Sequence, residues 1–232
     1  MSQNEKHKIL VVSHCFLNEA VKLKHPDKIT QAEDRVSRRS FLKKLIAEGV
    51  ELIQLPCPEV IIYGTNRWEH SLSQFDTPFF RQEARKMLLP IVMQLEEYTK
   101  YPDRFELLGI LGVDGSPSCG INFTYDSDWG GEINSQLPSN LQNTTLKKIS
   151  KPGVFMSVLK ELLLERHLAM YQYSLETYPN KTTNKSLDFL SIPGVASGQV
   201  RTVPGPPKSR FALKKESFKN DGTTSGKGLD IL

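Results

Sequence analysis

Three short apolar runs most constrain what this chain can become: Lys8–Ser13 (KILVVS), Val50–Leu55 (VELIQL) and Phe105–Leu111 (FELLGIL). Each is too short for a buried helix, rich in branched residues and bounded by turn formers, so each reads as a strand. The stretches between them carry a helical period. Glu33–Glu48 places Val36, Phe41, Leu42, Leu45 and Ile46 at mostly helical spacing, and Gly49 is a natural stop. Asp76-Thr77-Pro78 opens the longest helix, to about Lys100, with a cap followed by proline in the first turn. Pro90 lies inside that pattern and is expected to kink or split it. Gly153–His167 is amphipathic, with Phe155, Leu159, Leu162 and Leu163 as its stripe, and Met170–Leu175 reads as a fourth strand. Polar loops are expected over Asn18–Thr30, Tyr63–Gln74 and Tyr125–Leu146. Strand–helix alternation of this kind predicts an α/β domain: a Rossmann-like, mainly parallel sheet flanked by helices on both faces.

A length of 232 residues suits one such domain with an appendage. From about Tyr178 the chain turns rich in Pro, Gly, Ser and Lys and loses any period. We therefore expect a domain over residues 1–177 and a flexible, poorly ordered tail over 178–232. A nucleic-acid-binding arm is the alternative reading of the tail. A hydrophobic content of 38% and a charged content of 24% fit a soluble globular protein. The net charge of +4 is scattered along the chain and does not by itself argue for a nucleic-acid partner. No run of about 18 apolar residues exists, so no membrane span is expected. The start, MSQNEKHKILVVSHC, lacks the apolar run of a secretory signal, which points to the cytoplasm.

The three cysteines are an odd number, and a reducing compartment disfavours a disulfide framework. Free cysteine is often simply a small buried hydrophobe. Position argues for more. Cys15, Cys57 and Cys119 follow the first, second and third strands in turn. In a parallel sheet those strand ends share one edge, and ligands bind in the crevice outside it. Pro56 and Pro58 bracket Cys57, and Gly115 and Gly120 flank the turn that carries Cys119; ordinary turn punctuation would also explain them. Three thiols and His14 could supply four zinc ligands, but the adjacent His14 and Cys15 rarely reach one tetrahedral centre. An iron–sulfur cube prefers thiolates and normally takes four; with three, one iron keeps no protein ligand.

The chain also carries, in order, HCFLN (His14–Asn18), CPE (Cys57–Glu59), RWEHSLSQFDTPFFR (Arg67–Arg81), GVDGSPSCG (Gly112–Gly120), WGGE (Trp129–Glu132) and GVFM (Gly153–Met156). Together these resemble the thiouracil desulfidase family and its desulfidase-related branch, over about Lys8–Leu175. The resemblance implies a four-iron four-sulfur (4Fe-4S) cluster held by Cys15, Cys57 and Cys119, with one iron open. It implies non-redox removal of sulfur from a thiolated heterocycle, water attacking the activated carbon and sulfide leaving. Glu59 and Ser116 are the candidate catalytic groups for proton traffic, and a local cap or turn bond would explain either equally. Candidate substrate contacts are Asn18, Arg67, Trp68 and Ser118; Asn18 could equally be a turn residue and Trp68 a packed loop anchor. A solvated face accounts for Arg81 and Arg85. The last strand, MYQYSLET, departs from the Gly-Ile-Asp type of sequence at that place in the family.

The expected partner is therefore a small thiolated base or nucleoside. The alternative is a cluster-bearing sulfur carrier or sensor that binds RNA through its basic tail. A third reading is an α/β domain with three inert thiols.

Overall fold

The computed structural model describes residues 6–24, 27–128, 146–170 and 172–174. The expected tail, the WGGE motif and Leu175 lie outside them, as does Tyr171. The four main strands are β1 (His7–Val12), β2 (Val50–Gln54), β3 (Phe105–Gly112) and β6 (Gln172–Ser174). They form one sheet in the order β2-β1-β3-β6, with every neighbouring pair parallel. The expected α/β architecture is thus the observed one. From β1 the chain adds β2 on one side, then crosses to add β3 on the other. This reversal leaves a crevice between β1 and β3 at their C-terminal ends.

Helices cover both faces. Helix α2 (Lys28–Ala47) packs Phe41 and Leu45 against Leu10, Val12, Leu108 and Leu111. Helices α5 (Pro78–Thr99) and α6 (Val154–Glu165) close the opposite face over Val11 and Ile110. Alternation along β1 explains the partition, since successive side chains leave a strand on opposite faces. In β3 the alternation is interrupted. Its register with β1 shifts between Ile9 and Leu10, whose partners are Leu107 and Gly109. Gly109 takes φ 144, a conformation that a side chain resists, and this local irregularity puts Leu108 and Leu111 on one face.

Several details differ from the sequence expectation. Helix α2 begins before Glu33 because the Asp27 side chain caps it, accepting from Ile29 N at 2.9 Å. Its buried face is Arg38, Phe41 and Leu45, whereas Val36, assigned to the apolar stripe, is 68% exposed. Pro90 does not split α5; the helix runs through it. Pro90 and Lys86, whose carbonyl loses its partner, are both exposed, so water can satisfy the orphan oxygen. Short helices α1 (His14–Leu17) and α3 (Pro58–Tyr63) precede the first two expected loops, which themselves hold a 3-10 turn at Glu19–Val21 and most of α4 (Leu72–Phe75). A small antiparallel pair, β4 (Thr124–Asp126) with β5 (Lys147–Ile149), lies at the two ends of the expected third loop. No helix among the described residues is long and apolar enough to cross a membrane.

Candidate functional site

A cavity of about 380 Å³ opens at the C-terminal edge of the sheet, and Cys15, Cys57 and Cys119 all line it. Each thiol arrives from a separate strand–helix corner. Cys15 sits in α1, directly after β1. Two long-range bonds fix that turn: Gln54 Nε2 donates to the His14 carbonyl at 3.1 Å, and buried Arg38 donates to the Phe16 carbonyl at 2.8 Å. Arg38 also pairs with Glu19. Cys57 is the N-cap of α3, and Pro58 in the first turn presets the helical φ.

The loop that carries Cys119 is held most tightly. Val113 N donates to the Cys119 carbonyl at 2.8 Å, and Cys119 N donates to Ser116 Oγ at 3.0 Å. Asp114 accepts from Ile121 N at 2.9 Å and Asn122 N at 2.8 Å, and also from the Ser174 hydroxyl on β6. Burial alone would push the Asp114 carboxyl up, yet the bonds from Ser174, Asn122 and Ile121 hold it below its ordinary value. The start of α6 supplies further donors: Gly153 N to the Gly120 carbonyl and Val154 N to the Pro117 carbonyl, both at 2.9 Å. Gly153 is needed for that approach, because a Cβ there would lie 2.4 Å from the Ser118 carbonyl carbon.

Polar side chains connect to this frame. Glu59 accepts from Ser118 Oγ at 2.6 Å through one oxygen and from Arg67 Nε at 2.9 Å through the other. The Ser118 hydroxyl also lies 3.4 Å from Cys119 Sγ and 3.2 Å from Ser116 Oγ. Glu59, Arg67, Ser116 and Ser118 therefore form one chain beside the Cys119 thiol, and all four line the cavity. Arg67 spends a donor from each nitrogen on the protein, the other two on the Gly64 and Val21 carbonyls. Its visible role is to hold Glu59. Asn18 and Trp68 are placed elsewhere: neither lines the cavity, the Asn18 side chain caps the 3-10 turn through Ala20 N at 3.1 Å, and Trp68 is 76% exposed.

The thiols influence one another. Burial pushes Cys15 up to about 11, with Lys22 opposing and Cys57 and Glu59 adding to the rise. Burial also raises Cys119, and the neighbouring charges of Cys15, Glu59 and Cys57 raise it further against the Ser118 hydrogen bond. Cys57 moves the same way, chiefly through burial. The thiols form no disulfide. Such a pocket disfavours bare thiolates. Among the described residues, no group of three or more His, Cys, Asp or Glu converges as the ligands of one metal ion would.

Sequence reasoning missed Asp114, Arg38 and Lys22. Asp114 lies in an Asp-Gly pair after a strand, which reads as a turn, and one of its partners, Ser174, lies 60 residues further along the chain. Arg38 lies outside the apolar stripe that marks its helix in the sequence, and its partners, Phe16 and Glu19, come from another segment.

The fold and site define a parallel α/β protein with a thiol-lined cavity at the carboxyl edge of its sheet. No protein-family model matches the chain, and no solved structure matches it. It is 31% identical over 114 residues to the uncharacterized protein MJ0003 of Methanocaldococcus jannaschii, an alignment that covers 49% of this chain and 68% of the archaeal protein. The chain belongs to the same family as that protein.

Proposed function

We propose that this protein removes sulfur, without redox change, from a thiolated heterocycle of the thiopyrimidine or thionucleoside type, using an iron–sulfur cluster held by Cys15, Cys57 and Cys119. The observation that carries this reading is the presence of all three thiols on one cavity with the Glu59–Ser118 pair beside them. Bound there through three cysteines, a four-iron cluster would supply a Lewis-acidic iron that attracts a soft thiocarbonyl sulfur and weakens its bond to carbon.

The chain's own groups handle water and protons. Glu59, kept oriented by Arg67, accepts a proton from the attacking water, either directly or through the Ser118 hydroxyl. Ser116 fixes the Cys119 backbone and extends the hydroxyl chain towards Ser118. The thiocarbonyl carbon gains the oxygen of water and loses its sulfur, which leaves as hydrogen sulfide. No electrons are gained or lost.

The test is anaerobic purification followed by iron and acid-labile sulfide assays, then sulfide release from a panel of thiopyrimidines. Near-equal iron and sulfide, with turnover that stops in Cys119→Ala, is the expected result. Cluster-loaded protein that leaves the whole panel untouched would remove the activity.

A further inference from the structure

We propose that His70 reads the substrate's edge: its imidazole Nε2–H donates to the carbonyl oxygen that stays on the ring, so the site prefers an oxo-thiopyrimidine to a thione lacking that oxygen. The identity of the ring rests on the desulfuration reading above; the donor itself comes from the cavity wall.

His70 lines the cavity. Its ring stacks on buried Phe75, with centroids 4.9 Å apart and planes at 27°, and meets Tyr63 at 4.8 Å. Tyr63 and Phe75 also touch each other at 5.5 Å, so two mutually packed rings fix the imidazole plane. Nδ1 is buried and has no hydrogen-bond partner among the described residues. A buried N–H without an acceptor is rarer in native proteins than an acceptor without a donor. The stable neutral tautomer therefore carries its proton on Nε2, the ring nitrogen left to meet a ligand.

The neighbouring cations are already engaged: Arg67 with Glu59, Lys22 with Asp34. A second ring stands on the same cavity. Tyr125 of β4 lines it, and Ser73 N, just past His70, donates to Asp126 Oδ1 at 3.0 Å, tying the two segments together. A tethered aromatic wall and an edge-on donor suit a flat heterocycle.

The experiment measures binding of uracil, which has no sulfur to lose, against 2-pyrimidinone, the same ring without the second carbonyl. It uses the full chain purified without oxygen. Wild type should prefer uracil by about 3- to 10-fold, the worth of one neutral hydrogen bond. His70→Phe keeps the stack and should erase that preference; His70→Gln, which restores an N–H near the Nε2 position, should recover part of it. Nitrogen-15 spectra of the imidazole should place the proton on Nε2. A preference unchanged in His70→Phe, a proton on Nδ1, or no binding of either ring overturns the proposal. Sulfide release separates the two readings. Turnover with a preference indifferent to His70 removes only the donor. A His70-dependent preference with no thiopyrimidine desulfurised removes only the reaction.

Discussion

At the scale of single residues, the site is built around a buried ion pair, which the proposed reaction would use to move a proton. The side chains of Arg67 and Glu59 are 5% and 14% exposed. Removing the cation strands a carboxylate in a poorly solvated place, so Arg67→Met should destabilise the fold by about 3–5 kcal/mol, read from urea unfolding. A loss below about 1 kcal/mol would mean that water already reaches Glu59. Glu59→Gln keeps the shape and the hydrogen-bond acceptor but cannot take a proton. It should cut sulfide release by about 100- to 10,000-fold while leaving bound iron unchanged; a near-wild-type rate would move the base elsewhere. The cysteines and Glu59 were legible because their positions relative to strand ends have a physical meaning. Asn18 and Trp68 were less so, because a polar or aromatic loop residue looks alike in sequence whether it faces a cavity or solvent.

At the scale of elements, α6 does more than cover the sheet. Its first residues donate to the carbonyls of the Cys119 loop, and Gly153 lets them approach. Gly153→Ala would place a methyl group against the Ser118 backbone. It should cost about 1–3 kcal/mol as an overpacked contact and shift Cys119 with it. Unfolding and iron content after reconstitution should therefore fall together; lost stability with full iron content would show that the loop moves independently of the thiol. The stripe of α6 was readable because Phe155, Leu159, Leu162 and Leu163 keep the helical period and all are buried. The strands β4 and β5 have three residues each, too few to show any period. Helices α3 and α4 were equally hidden, since one or two turns carry almost no pattern.

At the scale of the whole molecule, the cavity exists only when the sheet is assembled in its order. The three thiols come from corners after β1, β2 and β3, and the clamp on the Cys119 loop reaches to Ser174 on β6. Asp114 is the hub of that clamp, so its charge couples the last strand to the site. Its folded carboxyl is held below the ordinary value of 3.8 by the hydrogen bonds from Ser174, Asn122 and Ile121, against burial. The native state thus binds fewer protons at this group than the unfolded chain does. The stabilisation is present in full above the unfolded value and drains away as pH falls through the lower folded one. Wild type should therefore lose urea resistance between about pH 5 and pH 3 more steeply than Asp114→Asn, which lacks the titrating charge and starts weaker at pH 7. Parallel acid profiles for the two proteins would mean that the loop and β6 are held together by packing, with the carboxylate a bystander.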